Sequence, residues 1–206
     1  DPKGLRETLF EVFGLEEHTI SFWPGGNNPP VPTGRGGAKI GFHIGPGGNK
    51  GPSTDGTGLG DWMDELNAAD IPFFLKSVHD YGDLDRAADM IRAGGPAHNL
   101  VFRMSGGDLE LPDYDLPAEQ SAIEHWNRIK ATLPPEFDKD YVWLEFINEP
   151  DKNRSEWLAD FSLVLARLAI TDGYRVAAFS WSAGEPETSH WEGNSMLEFL
   201  RFAADH

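Results

Sequence analysis

The chain contains no cysteine, which rules out disulfides and thiolate-bound metals. The same absence leaves the compartment open, because cytosolic proteins and secreted proteins stable without cross-links both fit it. Basic residues are scarce: 17 Lys and Arg stand against 34 Asp and Glu, a formal net charge of -17. Such a balance argues against nucleic acid as a partner, since nothing here neutralises a run of phosphates, and it argues equally against an anionic membrane surface. No apolar run approaches the roughly 18–20 residues that span a bilayer. There is no His-Glu-x-x-His and no carboxylate cluster at ligand spacing, so neither metal nor cofactor is expected. The opening Asp1-Pro2-Lys3-Gly4 has no initiator Met and no signal-peptide pattern, and the numbering is expected to begin inside a longer product or after processing.

What is present is ordinary globular material. The 206 residues are 39% apolar and 25% charged, enough for one domain with a substantial core. Seven Trp, 13 Phe and 23 Gly suit aromatic-lined surfaces and tight loops. Core packing accounts for most such aromatics, but neutral sugars also use them, because the apolar face of a pyranose stacks on a ring while its hydroxyl rim seeks hydrogen bonds.

Residues 1–38 differ from the rest. Phe22-Trp23-Pro24-Gly25-Gly26-Asn27-Asn28-Pro29-Pro30 and Thr33-Gly34-Arg35-Gly36-Gly37 are too rich in Pro and Gly for a helix or central strand, and read as an extension or linker. From residue 39 to 206, strand-like apolar runs alternate with amphipathic helical stretches. The expected strands are Lys39–Gly45, Pro72–Val78, Leu100–Met104, Tyr141–Ile147 and Arg175–Trp181. The expected helices are Leu59–Ala69, Leu84–Ala93, Ala118–Leu133, Trp157–Ile170 and Met196–Ala204, with Trp62, Leu66, Ala69, Ile123, Trp126 and Ile129 among the positions spaced for burial. Strict alternation means an α/β fold with a parallel sheet covered by helices. A barrel and a doubly wound open sheet both satisfy it. The long connections follow strands and the short ones precede them, which mildly favours the barrel.

The strongest chemical signal is Trp143-Leu144-Glu145-Phe146-Ile147-Asn148-Glu149-Pro150 at the end of the fourth strand. Here the sequence resembles the superfamily of retaining (β/α)8-barrel glycoside hydrolases that place Asn-Glu at that point. The resemblance covers residues 39–206, rests on that one diagnostic motif, and implies a (β/α)8 (TIM) barrel of which about five units are present. It implies Glu149 as general acid/base and Asn148 as the residue holding the sugar 2-hydroxyl, with a poly- or oligosaccharide as substrate. The chemistry asks for this arrangement: protonating a glycosidic oxygen near neutral pH needs a carboxylic acid whose pKa is raised by burial or a like charge, a strand end holds it rigidly at a mouth, and a neighbouring amide can grip a hydroxyl without disturbing the proton balance.

The departure is equally specific. The superfamily's nucleophile ends strand seven, whereas this chain stops after the helix following strand five. A retaining site needs two carboxyl groups about 5–5.5 Å apart, so the chain alone is expected to be inactive, and to be completed by self-association or by a missing C-terminal segment. Eight units at this spacing require roughly 270 residues, the usual barrel size. Glu185, in Ser182-Ala183-Gly184-Glu185-Pro186, is the one nearby substitute, and a solvated loop glutamate is its bland alternative. His43 within strand one, His79 after strand two, and Trp181 and Trp191 flanking the fifth loop are candidate sugar contacts or packing groups. Strand alternation puts Glu145 on the face of Glu149, and a buried Glu145 needs a partner, for which Arg103 and Lys76 are placed. Gly45-Pro46-Gly47-Gly48-Asn49 lacks the spacing of a phosphate loop. Two other readings stand beside the hydrolase: a non-catalytic carbohydrate-binding or scaffold module on a hydrolase-like fold, and a doubly wound binding domain.

Overall fold

A computed structural model describes residues 41–44, 58–183 and 185–206. The 1–38 lead-in, Lys39, Ile40, Gly45 and the glycine-rich run after strand one lie outside the described residues. Among the described residues, five strands and five α-helices alternate: β1 Gly41–Ile44, α1 Gly58–Ala68, β2 Phe74–Val78, α2 Gly82–Arg92, β3 Asn99–Arg103, α3 Ala118–Thr132, β4 Val142–Glu145, α4 Ser155–Thr171, β5 Arg175–Ala177 and α5 Asn194–Asp205. All strand pairs are parallel and the order is β1-β2-β3-β4-β5. There is no reversal, so these strands are not a doubly wound sheet, which needs a switch point to place helices on both faces.

The unreversed order has a direct consequence. Right-handed crossovers between neighbouring parallel strands put every connecting helix on the same side of the sheet. Burial follows that division. The rows Leu75–Leu100–Val142 and Ser77–Phe102–Leu144, aligned across β2, β3 and β4, are buried at 1% exposure or less. They join one core with Leu84 of α2, Trp126 and Ile129 of α3 and Leu165 of α4. The intervening row, Lys76–Val101–Trp143–Arg175, is only half-buried. One face is hydrocarbon under helices; the other carries charge and aromatics.

On two helices a single expected position departs from the core. On α3 the buried residues are Ser121, Ala122, His125, Trp126 and Ile129, and Ile123 is 42% exposed. Trp126 and Ile129 are buried as their spacing predicts, while the slot expected for Ile123 is taken by its neighbours; His125, polar in type, shares the buried face, where its Nε2 meets the carbonyl of Phe146 at 2.6 Å. On α1 the buried anchor is Met63, with Trp62 and Leu66 packed beside it and Ala69 left exposed. The helix α2 ends as the Gly94-Gly95 pair predicts: Gly94 takes φ +93°, and Gly94 and Gly95 donate back to Ile91 and Met90.

Both buried histidines are held neutral. The Nδ1 of His98 accepts from Phe73 N at 3.3 Å, so its proton sits on Nε2, facing Asn67 Oδ1. His125 is fixed in the same tautomer, because Arg128 can only donate to its Nδ1. Burial lowers each imidazole to about 4. Above 6.5, the ordinary value, both folded and unfolded chains are neutral and the stability is complete. As pH falls from there toward 4, the unfolded chain takes up protons that the folded one refuses, and stability drops. For the fully buried His125 the loss amounts to roughly 3 kcal/mol at about 1.4 kcal/mol per unit. Urea denaturation at pH 7 and pH 4.5 should therefore show a smaller pH-dependent fall for His125→Asn than for the native chain. Equal falls would remove His125 as the cause.

Candidate functional site at the C-terminal ends of the strands

The chain leaves three strands through left-handed backbone that side chains rarely adopt. His79 after β2 has φ +74°, Glu149 after β4 has φ +46°, and Phe179 and Ser180 after β5 have φ +73° and +36°. Each such non-glycine residue costs on the order of 1 kcal/mol or more, and persists only where its surroundings enforce it. Backbone hydrogen bonds between neighbouring loops do so here. His79 N donates to Arg103 O at 2.9 Å, Asn148 N to Glu110 O at 2.8 Å, and Glu149 N to Ser180 O at 3.0 Å.

Within this rim lies a charge network on the half-buried face. Lys76 of β2 donates to Glu145 Oε1 of β4 at 2.7 Å, and Arg103 of β3 donates through Nη1 to the same oxygen at 3.1 Å. Arg103 and Glu145 are buried. Arg103 Nη1 also donates to Asn148 Oδ1, and Lys76 reaches Ser180 Oγ at 3.5 Å. A guanidinium has only donors, so it must face the amide oxygen of Asn148, which leaves the Nδ2 amino group as the end Asn148 can offer to a ligand. His43, aligned with Lys76 across β1 and β2, senses the cluster. Its imidazole is lowered first by burial and then by Lys76 and Arg103, whose combined effect opposes that of Glu145.

Lys76 and Arg103 thus supply the partners that a buried Glu145 requires. The strand phase does not carry on to Glu149, however. β4 ends at Glu145, and Phe146 and Ile147 are both buried, so the alternation expected through Ile147 is broken. The left-handed turn and the hydrogen bond to Ser180, rather than strand pleat, set the position of Glu149. Glu149 itself is exposed, and among the described residues its carboxylate makes no hydrogen bond or ion pair. β5 likewise stops at Ala177 instead of Trp181, because Phe179 and Ser180 leave the extended region.

The remaining candidates are dispersed. His79 is exposed at its strained turn. Trp181 stacks on Phe179 at 5.3 Å and meets Trp191 edge-on at 6.3 Å, so both tryptophans belong to one aromatic cluster over β5. Trp181 Nε1 is buried without a partner among the described residues. Glu185 is ion-paired to Lys152 at 2.8 Å, and Lys152 binds Glu187 at the same distance. That pairing joins the loop after β4 to the loop after β5 and gives Glu185 a structural task. Sequence reasoning did not pick out Ser180 or Lys152, whose roles depend on loops meeting in space.

No family model, curated protein or solved structure matches this chain. Among the described residues there is no group of His, Asp or Glu able to hold a metal, and no helix long and apolar enough to cross a membrane. A groove of about 380 Å³ opens at the other end of β5, lined by Trp143, Tyr174, Val176, Phe199 and Phe202. It adjoins the sheet edge rather than the rim that carries Asn148 and Glu149.

The two glutamates of the motif should respond oppositely to substitution. Glu145→Ala leaves two cations facing each other on the sheet and should cost about 3 kcal/mol. Glu149→Gly relieves a left-handed residue and should leave stability unchanged or raise it by up to about 1 kcal/mol. Denaturant midpoints measured side by side would decide this, and a destabilised Glu149→Gly would show that its side chain serves the fold.

Proposed function

We propose that this chain carries the acid/base part of a glycoside hydrolase site, with Glu149 as proton donor and Asn148 as ligand of the sugar 2-hydroxyl. The observation that supports it most is the exposed Glu149 on strained backbone, without a side-chain partner among the described residues, next to an amide whose orientation Arg103 fixes. Strain kept at an exposed, chemically able residue, where glycine would be easier, suits a functional position. In this reading Glu149 donates its proton to the glycosidic oxygen as the bond breaks and takes a proton back from water afterwards. The Nδ2 of Asn148 donates to the 2-hydroxyl, a bond that strengthens as charge develops on the ring.

The architecture we propose with it is a (β/α)8 barrel. A sheet with all its helices on one face leaves the other face bare, and curling that face inward is the way such repeats bury it. The polar interior row and the apolar groove beside β5 suit a sheet that continues past that edge. The second carboxylate would come from the continuing part, supplied by a further segment or a second copy. A non-catalytic carbohydrate-binding module is the rival reading, favoured by the commitment of Glu185 to Lys152.

Assay of the chain on aryl glycosides, alone and joined to any segment that follows it in the reading frame, separates the two. Glu149→Gln should abolish turnover of substrates with poor leaving groups, by roughly a hundredfold or more, while sparing those with activated leaving groups. Sugar binding without turnover in every form would favour the binding module. A Glu149→Gln variant with native turnover on all substrates would end the acid/base assignment.

A further inference from the structure

Among the described residues, the charge of the Lys76–Arg103–Glu145 cluster does not cancel. Lys76 and Arg103 share a single oxygen of a single carboxylate, Glu145 Oε1, at 2.7 and 3.1 Å. Two cations against one anion leave one positive charge, in a chain with twice as many acidic as basic residues. The neutral members, Asn148 and Ser180, satisfy hydrogen bonds but remove no charge. Arg103 is more than nine-tenths buried, and its Nε has no hydrogen-bond partner among the described residues. A buried guanidinium with an unused donor and only a shared counter-ion is costly unless a further acceptor arrives.

We infer that the Lys76–Arg103 pair is a receiving site for one more carboxylate, and that the sugar bound at this face is an acidic one, with its carboxylate directed to these cations. The substrate class this names is a uronic-acid-containing saccharide. Lys76 retains partial solvent access, with 15% of its side chain exposed, so an incoming carboxylate can bond to it without displacing Glu145. The imidazole of His43, lowered first by burial, is pushed the same way by both cations and the opposite way by Glu145. A salt-bridged anion also explains why two long cationic side chains are kept on a sheet face where apolar residues of similar volume would be at least as stable. The inference rests on the proposed reading of this face as a sugar site, and the carboxylate half of it can be tested independently.

Titration calorimetry of the chain with D-glucuronate, D-glucose and acetate, at low and at raised salt, tests both halves. Glucuronate should bind roughly tenfold or more tightly than glucose, the typical worth of a charge-assisted bond, and added salt should weaken it. Lys76→Gln should lose most of that preference. Glu145→Gln should increase it, because two cations are then free of their anion, whereas a purely structural network would only be weakened. Thermal melts of both variants confirm that they remain folded, and each alone suffices if the other does not fold. Acetate binding as tightly as glucuronate would support the carboxylate site and count against the sugar reading. Equal binding of glucose and glucuronate would leave the sugar reading standing and overturn the inference. Absence of glucuronate binding, or its weakening in folded Glu145→Gln, would overturn the inference as well.

Discussion

Glu145 sits at the end of β4 with Lys76 from β2 and Arg103 from β3 both donating to one of its oxygens. Removing a carboxylate and two cations from water is costly, and the sheet carries that cost only because register brings all three onto one face at hydrogen-bonding distance. The backbone around Asn148 and Glu149 is arranged about this contact. Arg103, held by Glu145, orients Asn148; Lys76, held by the same oxygen, reaches Ser180; and Ser180 carries the carbonyl that fixes the backbone of Glu149. Three strand ends are tied together through one anion.

On the covered face the order is maintained by packing of a different kind. α3 and α4 seal β3 and β4, and a buried imidazole there, His125, is spent on the Phe146 carbonyl where β4 leaves the sheet. The sheet thus releases its fourth strand between two clamps, an imidazole on the helix side and an ion network on the bare side. That placement lets Glu149 stand exposed on an unfavourable backbone without loosening the segment that carries it.

The fold was largely readable because its signals are local. Apolar runs of strand length alternating with periodic helical stretches identify each unit within a window of about a dozen residues. Gly94-Gly95 marked a helix end in the same way, since its left-handed stop is a property of the residues themselves. On α3, Trp126 and Ile129 are buried as their spacing predicts, but Ile123 is exposed and the buried face includes His125. Hydropathy cannot see that a histidine with two satisfied ring nitrogens is a good core residue. Glu145 with Lys76 and Arg103 was foreseeable, because a carboxylate on an inward strand position demands a partner and neighbouring strands held two.

The sequence by itself determined the parallel α/β arrangement, the acidic balance, the absence of thiol and disulfide chemistry and the position of Asn148-Glu149 just past a strand. These depend on residue type and short-range spacing alone. Tertiary structure decided where β4 and β5 stop, how Glu149 is held, which loop claims Glu185, and that Lys76 and Arg103 converge on one oxygen. Each of those depends on contacts between segments distant in sequence. Left-handed backbone at Glu149, Phe179 and Ser180 is unfavourable in isolation and exists only because other strands' loops hold it there.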